Sequence, residues 1–286
     1  MIKAYCPSHI TCFFRPVESP NILSKGSLGA GIRLESGTIL DIDEKAGNTR
    51  IFINGEETEA NITRSILEKM IPDRGFEVNI EIELPLGQGF GMSASGAVAM
   101  VLCAADIVGV DRHTAFVNAH IADIEGGGGL GDVAALMKEA HQPVRVRAGM
   151  PPDGEVIDTK MTFDKLTLAV LGPKLKTSSV LSDKECLRSL IAAGDYAMSD
   201  FLNDVSKEHL FSLSNRFSSS TGVEQKEVSQ AMDRLRSREI NVAMCMLGNS
   251  IFSEASEEEV KEILGEDIWT LSVRSTDRRA DIIQKG

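Results

Sequence analysis

The sequence predicts an α+β protein in two parts, and three features of its patterning predict it. The first 85 residues carry period-two alternation and turn dipeptides. After Gly91 the texture changes to small apolar residues at helical spacing. From about Leu166 a strand followed by several helical segments starts the pattern again. The MPPDGE stretch, Met150 to Glu155, is the natural cut, dividing the chain into residues 1–160 and 161–286.

In FEVNIEIEL, Phe76, Val78, Ile80, Ile82 and Leu84 alternate with polar residues, so one face of this strand is apolar and the other solvated. Upstream, the runs Ile32–Leu34 and Ile39–Ile42 flank Ser36-Gly37, and Ile51–Ile53 precedes Asn54-Gly55; both dipeptides read as turns. A helix is expected near Ile62 to Met70. Further helices are expected over Ser95–Val108, over Asp111–Glu125, ended by Gly126 to Gly129, and from Asp132 through Ala140. LTLAVLG, beginning at Leu166, reads as a strand. Three or four helical segments follow, then a Met- and Gly-containing run at Met244 to Gly248 and a last strand near Trp269 to Val273.

At 286 residues the chain can bury a sizeable core without staples. The five cysteines, Cys6, Cys12, Cys103, Cys186 and Cys245, are odd in number and have no C-x-x-C spacing, which points to a reducing cytoplasm. A formal charge of −12 and a pI near 5.0 argue against a nucleic-acid surface. The longest apolar run, Ala97 to Ala105, is too short to span a bilayer, and MIKAYCPSHI breaks before a signal-peptide core develops. Asn61-Ile62-Thr63 fits a glycosylation pattern that a cytoplasmic protein would not use.

The chemistry concentrates in PLGQGFGMSASG, where a strand runs through glycines into a helix. Free backbone N–H groups and the positive end of the helix dipole meet there, which suits an anion; equally, the glycines could serve close helix-on-sheet packing. It is not a Walker loop, because no Lys lies between Lys69 and Lys138. A formal G-x-G-x-x-G at Gly126, Gly128 and Gly131 follows a helix rather than a strand and lacks the dinucleotide-binding context.

PLGQGFGMSASG resembles the second motif of the GHMP kinases, P-x-G-x-G-L-G-S-S-A-A. CPSHIT at Cys6 to Thr11 stands where family members carry A-P-G-K-I, and GLGDVAA brings Asp132 into the family's Gly-x-x-Asp register. MCMLGNSIF, Met244 to Phe252, matches the third motif only loosely. Within the family the closer resemblance is to the archaeal pantoate kinases, through PSHIT, GSLGAG at Gly26 to Gly31, AHIAD at Ala119 to Asp123 and GLGDV at Gly129 to Val133. Ser8 in place of Gly, Met92 in place of the first Ser and Asp123 in place of Glu are departures from those patterns.

The resemblance implies a GHMP kinase fold: a ribosomal-protein-S5-like N-terminal domain for nucleotide and phosphate, and a ferredoxin-like C-terminal domain. It implies transfer of the γ-phosphoryl of ATP, with Mg²⁺, to the primary hydroxyl of pantoate on the route to coenzyme A in the cytoplasm. Homoserine, mevalonate or shikimate as acceptor, or a catalytically silent ligand sensor, are the rival readings; self-association as a homodimer is left open.

Carried onto this chain, the resemblance makes Pro85, Gly87, Gln88, Gly89, Phe90, Gly91, Met92, Ser93, Ala94 and Ser95 the nucleotide loop. Ser93 and Asp123 become metal contacts, with Glu125 as rival to Asp123, and Asp132 the proton acceptor. Both Ser93 and Asp132 are also well placed as simple helix caps. Ser27, His120 and His9 become substrate or phosphate contacts. Arg145, with Arg147 as alternative, becomes the clamp on the acceptor's carboxylate, since a guanidinium grips a carboxylate through two parallel hydrogen bonds.

Overall fold

The computed structural model describes residues 1–175, 180 and 183–286. Two long strands, β1 (Ile2–Val17) and β2 (Gly26–Glu44), pair antiparallel, and β2 pairs in turn with β5 (Phe76–Ile82), the strand whose alternation is clearest in the sequence. Beyond it β3 (Arg50–Ile53) runs parallel to β5 and turns back as β4 (Glu56–Glu57) through Asn54-Gly55. Both turn residues have positive φ, 49° and 83°, as a two-residue hairpin loop requires. Strands β6 (Pro143–Arg147) and β7 (Glu155–Asp158) branch from the other end of β2.

One side of this sheet is covered by α1 (Asn61–Met70), α2 (Met92–Val108), α3 (Arg112–Glu125) and α4 (Asp132–Met137). In α2 every residue from Ala97 to Ala105 is buried, because the helix lies between the sheet and its neighbouring helices. The second sheet is antiparallel, with strand order β11-β8-β10-β9: β8 (Leu166–Val170), β9 (Val242–Met244), β10 (Ser250–Ser253) and β11 (Trp269–Val273). Helices α5 (Lys184–Phe201), α6 (Lys207–Thr221), α7 (Lys226–Arg236) and α8 (Glu257–Leu264) accompany it. Phe13 and Phe14 of β1 meet Phe201 and Phe217 of α5 and α6 at ring separations of 5.6 and 5.5 Å, so one apolar core runs from the first sheet into the second layer of helices. The architecture is a two-subdomain α+β fold. No helix among the described residues is long and apolar enough to cross a membrane.

Three expectations need correction. Ser36-Gly37 is not a turn: β2 continues through it, and the glycine is needed because Gly37 lies against β1, where a Cβ would come within 2.1 Å of the Cys6 carbonyl oxygen. The helix from Asp132 ends at Met137 rather than Ala140, since Lys138 is already extended. Trp269–Val273 is not the last strand: β12 (Asp281–Lys285) follows and pairs with β1 in the first sheet.

Candidate active site

The strand β5 ends at Ile82, and beyond Pro85 the chain crosses to α2 through three glycines in left-handed conformation, Gly87, Gly89 and Gly91 at φ 74°, 75° and 64°. Close approach explains two of them. A Cβ on Gly89 would lie 2.8 Å from the carbonyl oxygens of Cys245 and Met246, and one on Gly91 would lie 2.5 Å from that of His9. Gly91 caps α2 without any side-chain partner, so the first-turn N–H groups of the helix face the cleft uncapped. Tight packing and an anion-accepting helix end are therefore one feature of the loop.

The two readings divide the loop's side chains. Gly87, Gly89, Phe90, Gly91, Met92 and Ser93 line the cleft. Ser95 does not: its hydroxyl donates to the Cys6 carbonyl and lies 2.9 Å from Thr38 Oγ1, inside the core. Ala94 is likewise core, and Pro85 lies outside the cleft lining. Gln88 sits beneath the loop, donating from Nε2 to the Gly172 carbonyl at 3.0 Å.

Two carboxylates flank the glycines that follow α3. Asp123, buried on α3, accepts a hydrogen bond from Ser93 Oγ at 2.7 Å. Burial first, and then the nearby charge of Asp132, push its carboxyl up to about 7 against the Ser93 hydrogen bond. Gly128 allows this closeness, because a Cβ there would lie 2.1 Å from Asp123 Oδ1. Glu125 is half exposed and pairs on the surface with Lys69.

Asp132 opens α4 and has a different environment. His9 Nδ1 lies 2.7 Å from its Oδ1, and Thr11 Oγ1 lies 3.4 Å away. Burial alone would raise the Asp132 carboxyl, but the His9 contact and the positive charge of Arg145 hold it below the ordinary carboxylate range. His9 is wholly buried, and burial lowers its own pKa despite Asp132; against a carboxylate, which only accepts, its Nδ1 is the donor. Its Nε2 faces Gly31, where a Cβ would stand 2.1 Å away. His9 thus stands behind Asp132 and does not line the cleft.

Arg145, on β6, is buried, and neither its Nε nor its Nη1 has a hydrogen-bond partner. Arg33, the other large buried cation, donates instead to the carbonyls of Ala140 and Arg278. Arg147, two residues on, is exposed and paired with Glu155 at 3.1 Å. Ser27 lines the cleft beside Arg145, and Gly131 packs against both. His120 is buried outside the cleft lining, its Nε2 3.1 Å from the carbonyls of Ile22 and Lys25, where it holds the segment leading to Ser27.

The cleft residues without a sequence-based role include Thr11, Phe14, Met246 and Leu247. Thr11 closes the CPSHIT segment and Met246 lies in the loosely matched third motif, so weak signals existed for both. Phe14 looks like any strand phenylalanine. Ser93 and Asp123 offer hard oxygen donors side by side, suited to Mg²⁺, which takes one or two protein ligands and completes its shell with phosphates and water. Among the described residues no group of three or more His, Cys, Asp or Glu forms a denser cation cage.

A helix opened by glycines, Asp132 and an unpartnered guanidinium share one cleft, with Asp123 buried behind Ser93 at its wall, an arrangement suited to anionic ligands. A sequence profile of the family described as "GHMP kinases N terminal domain" matches residues 60–139. The chain is 32% identical over 276 residues to "Pantoate kinase" of Thermococcus kodakarensis, covering 92% of this chain and 90% of that one. It is 26% identical over 263 residues to "Pantoate kinase" of Methanocaldococcus jannaschii, covering 91% and 95%. A solved structure titled "Phosphotransferase related to CoA biosynthesis pathway" superposes with a TM-score of 0.88 at 29% identity, covering 98% of each chain. The chain belongs to the GHMP kinases, in the family that these pantoate kinases form.

Proposed function

We propose that this protein transfers the γ-phosphoryl group of ATP to the primary hydroxyl of pantoate, giving 4-phosphopantoate and ADP in a cytoplasmic route to coenzyme A. The observation that carries the acceptor's identity is Arg145: a buried guanidinium with two unpartnered N–H-bearing nitrogens lies in the same cleft as Asp132, where a small carboxylate would satisfy it. With the carboxylate held there, Ser27 is available to a second oxygen of the acceptor.

Asp132 is the proton acceptor. Its carboxylate is kept ionised by the neighbouring His9 and Arg145, and it is oriented through the His9 Nδ1–H. As the acceptor's hydroxyl oxygen forms its bond to the γ-phosphorus, the bond from that phosphorus to the bridging oxygen of ADP breaks, and the hydroxyl proton passes to Asp132. The uncapped N–H groups at the start of α2 receive the nucleotide's phosphates. Ser93 and Asp123 would hold Mg²⁺, which when bound neutralises phosphate charge.

A coupled assay of ADP release with pantoate, homoserine, mevalonate and shikimate tests the reading. Turnover is expected with pantoate at far the highest kcat/KM. Preference for another acceptor would replace pantoate while keeping the kinase, and no ADP release with any of the four would favour a silent sensor.

A further inference from the structure

The GSLGAG segment has a physical meaning that the phosphoryl-transfer chemistry does not use. Each of its glycines makes room for something in or beside the site. A Cβ on Gly26 would lie 2.6 Å from the Gly149 nitrogen, one on Gly31 2.1 Å from His9 Nε2, and one on Gly29 2.7 Å from Arg145 Nη2. Gly29 also has φ +153°, a conformation that side chains rarely adopt.

The register places Gly29 between two different groups. It lies opposite Phe14 on β1 and opposite Arg145 on β6. Residues directly opposite on neighbouring strands project to the same face, so Phe14 and Arg145 share a face, and the lack of a side chain at Gly29 lets the Arg145 guanidinium lie over the strand between them. Two strand spacings, about 10 Å, separate their backbones. Both residues line the cleft that contains Asp132. Phe14 is held from behind by Phe217, its ring 5.5 Å away, and Met246, whose N–H donates to the Thr11 carbonyl, adds a second apolar surface.

We infer that Phe14 is a specificity-determining residue, the apolar wall that receives the branched alkyl group of the acceptor while Arg145, laid over Gly29, holds its carboxylate. This rests on the function proposed above and narrows it. The substrate class is a short hydroxy acid carrying a quaternary, dimethylated carbon between the carboxylate end and the reacting hydroxyl. An unbranched hydroxy acid of the same length would satisfy Arg145 and Asp132 but leave the space beside Phe14 unfilled.

The test compares kcat/KM for pantoate with that for 2,4-dihydroxybutyrate, the same chain without the two methyl groups. Wild-type protein, Phe14→Leu, Phe14→Met and Phe14→Ala are measured, each with a thermal melt. Wild-type protein is expected to favour pantoate by about 10²-fold or more, because each methyl group in an apolar pocket contributes roughly tenfold or more. Phe14→Leu and Phe14→Met should cut that ratio about tenfold and Phe14→Ala further, with the KM for ATP within about twofold of wild type. A wall that served only the core would lower the melting temperature without moving the ratio. An unchanged ratio in the folded Leu and Met variants, or no wild-type preference, overturns the inference while leaving pantoate phosphorylation standing. Wild-type protein inert toward pantoate would instead overturn the proposed function and this inference with it. Should Phe14→Ala fail to fold, the Leu and Met variants decide the matter.

Discussion

Asp123 and Asp132 flank the same run of glycines yet lie in opposite electrostatic states, Asp132 lining the cleft and Asp123 buried behind Ser93, and the neighbours of each explain why. Asp132 faces a donor and a cation and stays ionised; Asp123 is buried with a hydroxyl and another carboxylate for company. Asp132→Asn keeps size and an oxygen to accept from His9 but cannot accept a proton, so turnover at saturating ATP and pantoate should fall about 10²- to 10⁴-fold. The melting temperature should barely change; normal turnover would show that Asp132 serves only to hold His9 in place. Asp123 makes a pH-dependent contribution to stability. Its folded carboxyl titrates at about 7 against an ordinary 3.8, so below pH 4 both folded and unfolded chains are protonated and its contribution is fully present. Between pH 4 and 7 the unfolded chain releases the proton and the folded chain does not, and stability is lost. Metal-free Asp123→Asn should therefore melt several degrees above wild type at pH 8 and level with it at pH 4. Equal melting at both pH values would place this carboxyl in the ordinary range. Arg145→Ala should raise the KM for pantoate about tenfold or more with little change for ATP, whereas Arg147→Ala, which removes only an exposed ion pair, should leave both near wild type. The reverse pattern would move the clamp to Arg147.

The strand–loop–helix unit from β5 into α2 shows how glycine serves different ends within one element. Gly91 needs its left-handed φ of 64° and abuts the His9 carbonyl, whereas Gly96, one turn into the helix, has open space within 4 Å of a would-be Cβ. Gly96→Ala should stabilise the protein by about 0.5–1 kcal/mol through helix propensity, with activity retained. Gly91→Ala should destabilise it by about 1–3 kcal/mol and cost turnover, because the loop must shift at the helix end that faces the cleft. Urea melts of the two variants check this; equal effects would show that loop geometry is not what Gly91 supplies. The unit was legible in the sequence because the hydrophobic period changes from 2 to 3.6 across Pro85 to Ser93. Ser36-Gly37 misleads for the converse reason: its glycine answers to Cys6 on another strand, a contact invisible to a local pattern.

Across the whole molecule the cleft is assembled from both sheets. The turn between β9 and β10 brings Met246 and Leu247 to it, and Gly248 fits against Gln88, where a Cβ would lie 2.1 Å from the carbonyl carbon. Trp269 of β11, the one tryptophan in the chain, has its ring 6.2 Å from that of Phe90 in the glycine loop. Nucleotide with Mg²⁺ should accordingly change Trp269 fluorescence saturably. At about 100 times its Kd it should add about 2.7 kcal/mol of stability, read as a rise in Tm. A melt insensitive to nucleotide would argue against a preformed site at this loop.

By itself the sequence determined most of the elements through local order, alternation for β5 and small apolar residues for α2, and the reaction class through the resemblance of its motifs to those of the GHMP kinases. Which side chains share the cleft was decided only by tertiary structure. Ser95 and Ser93 are two residues apart, yet one bonds within the core and the other faces Asp123. Arg145 and Arg147 alternate on one strand, yet the first is buried beside Gly29 and the second reaches solvent. His9, placed by its motif at the phosphates, stands behind Asp132. In each case the outcome depends on which surface a neighbouring strand or helix covers. That is set by pairings between residues as distant as Phe14, Gly29 and Arg145, which no local spacing encodes.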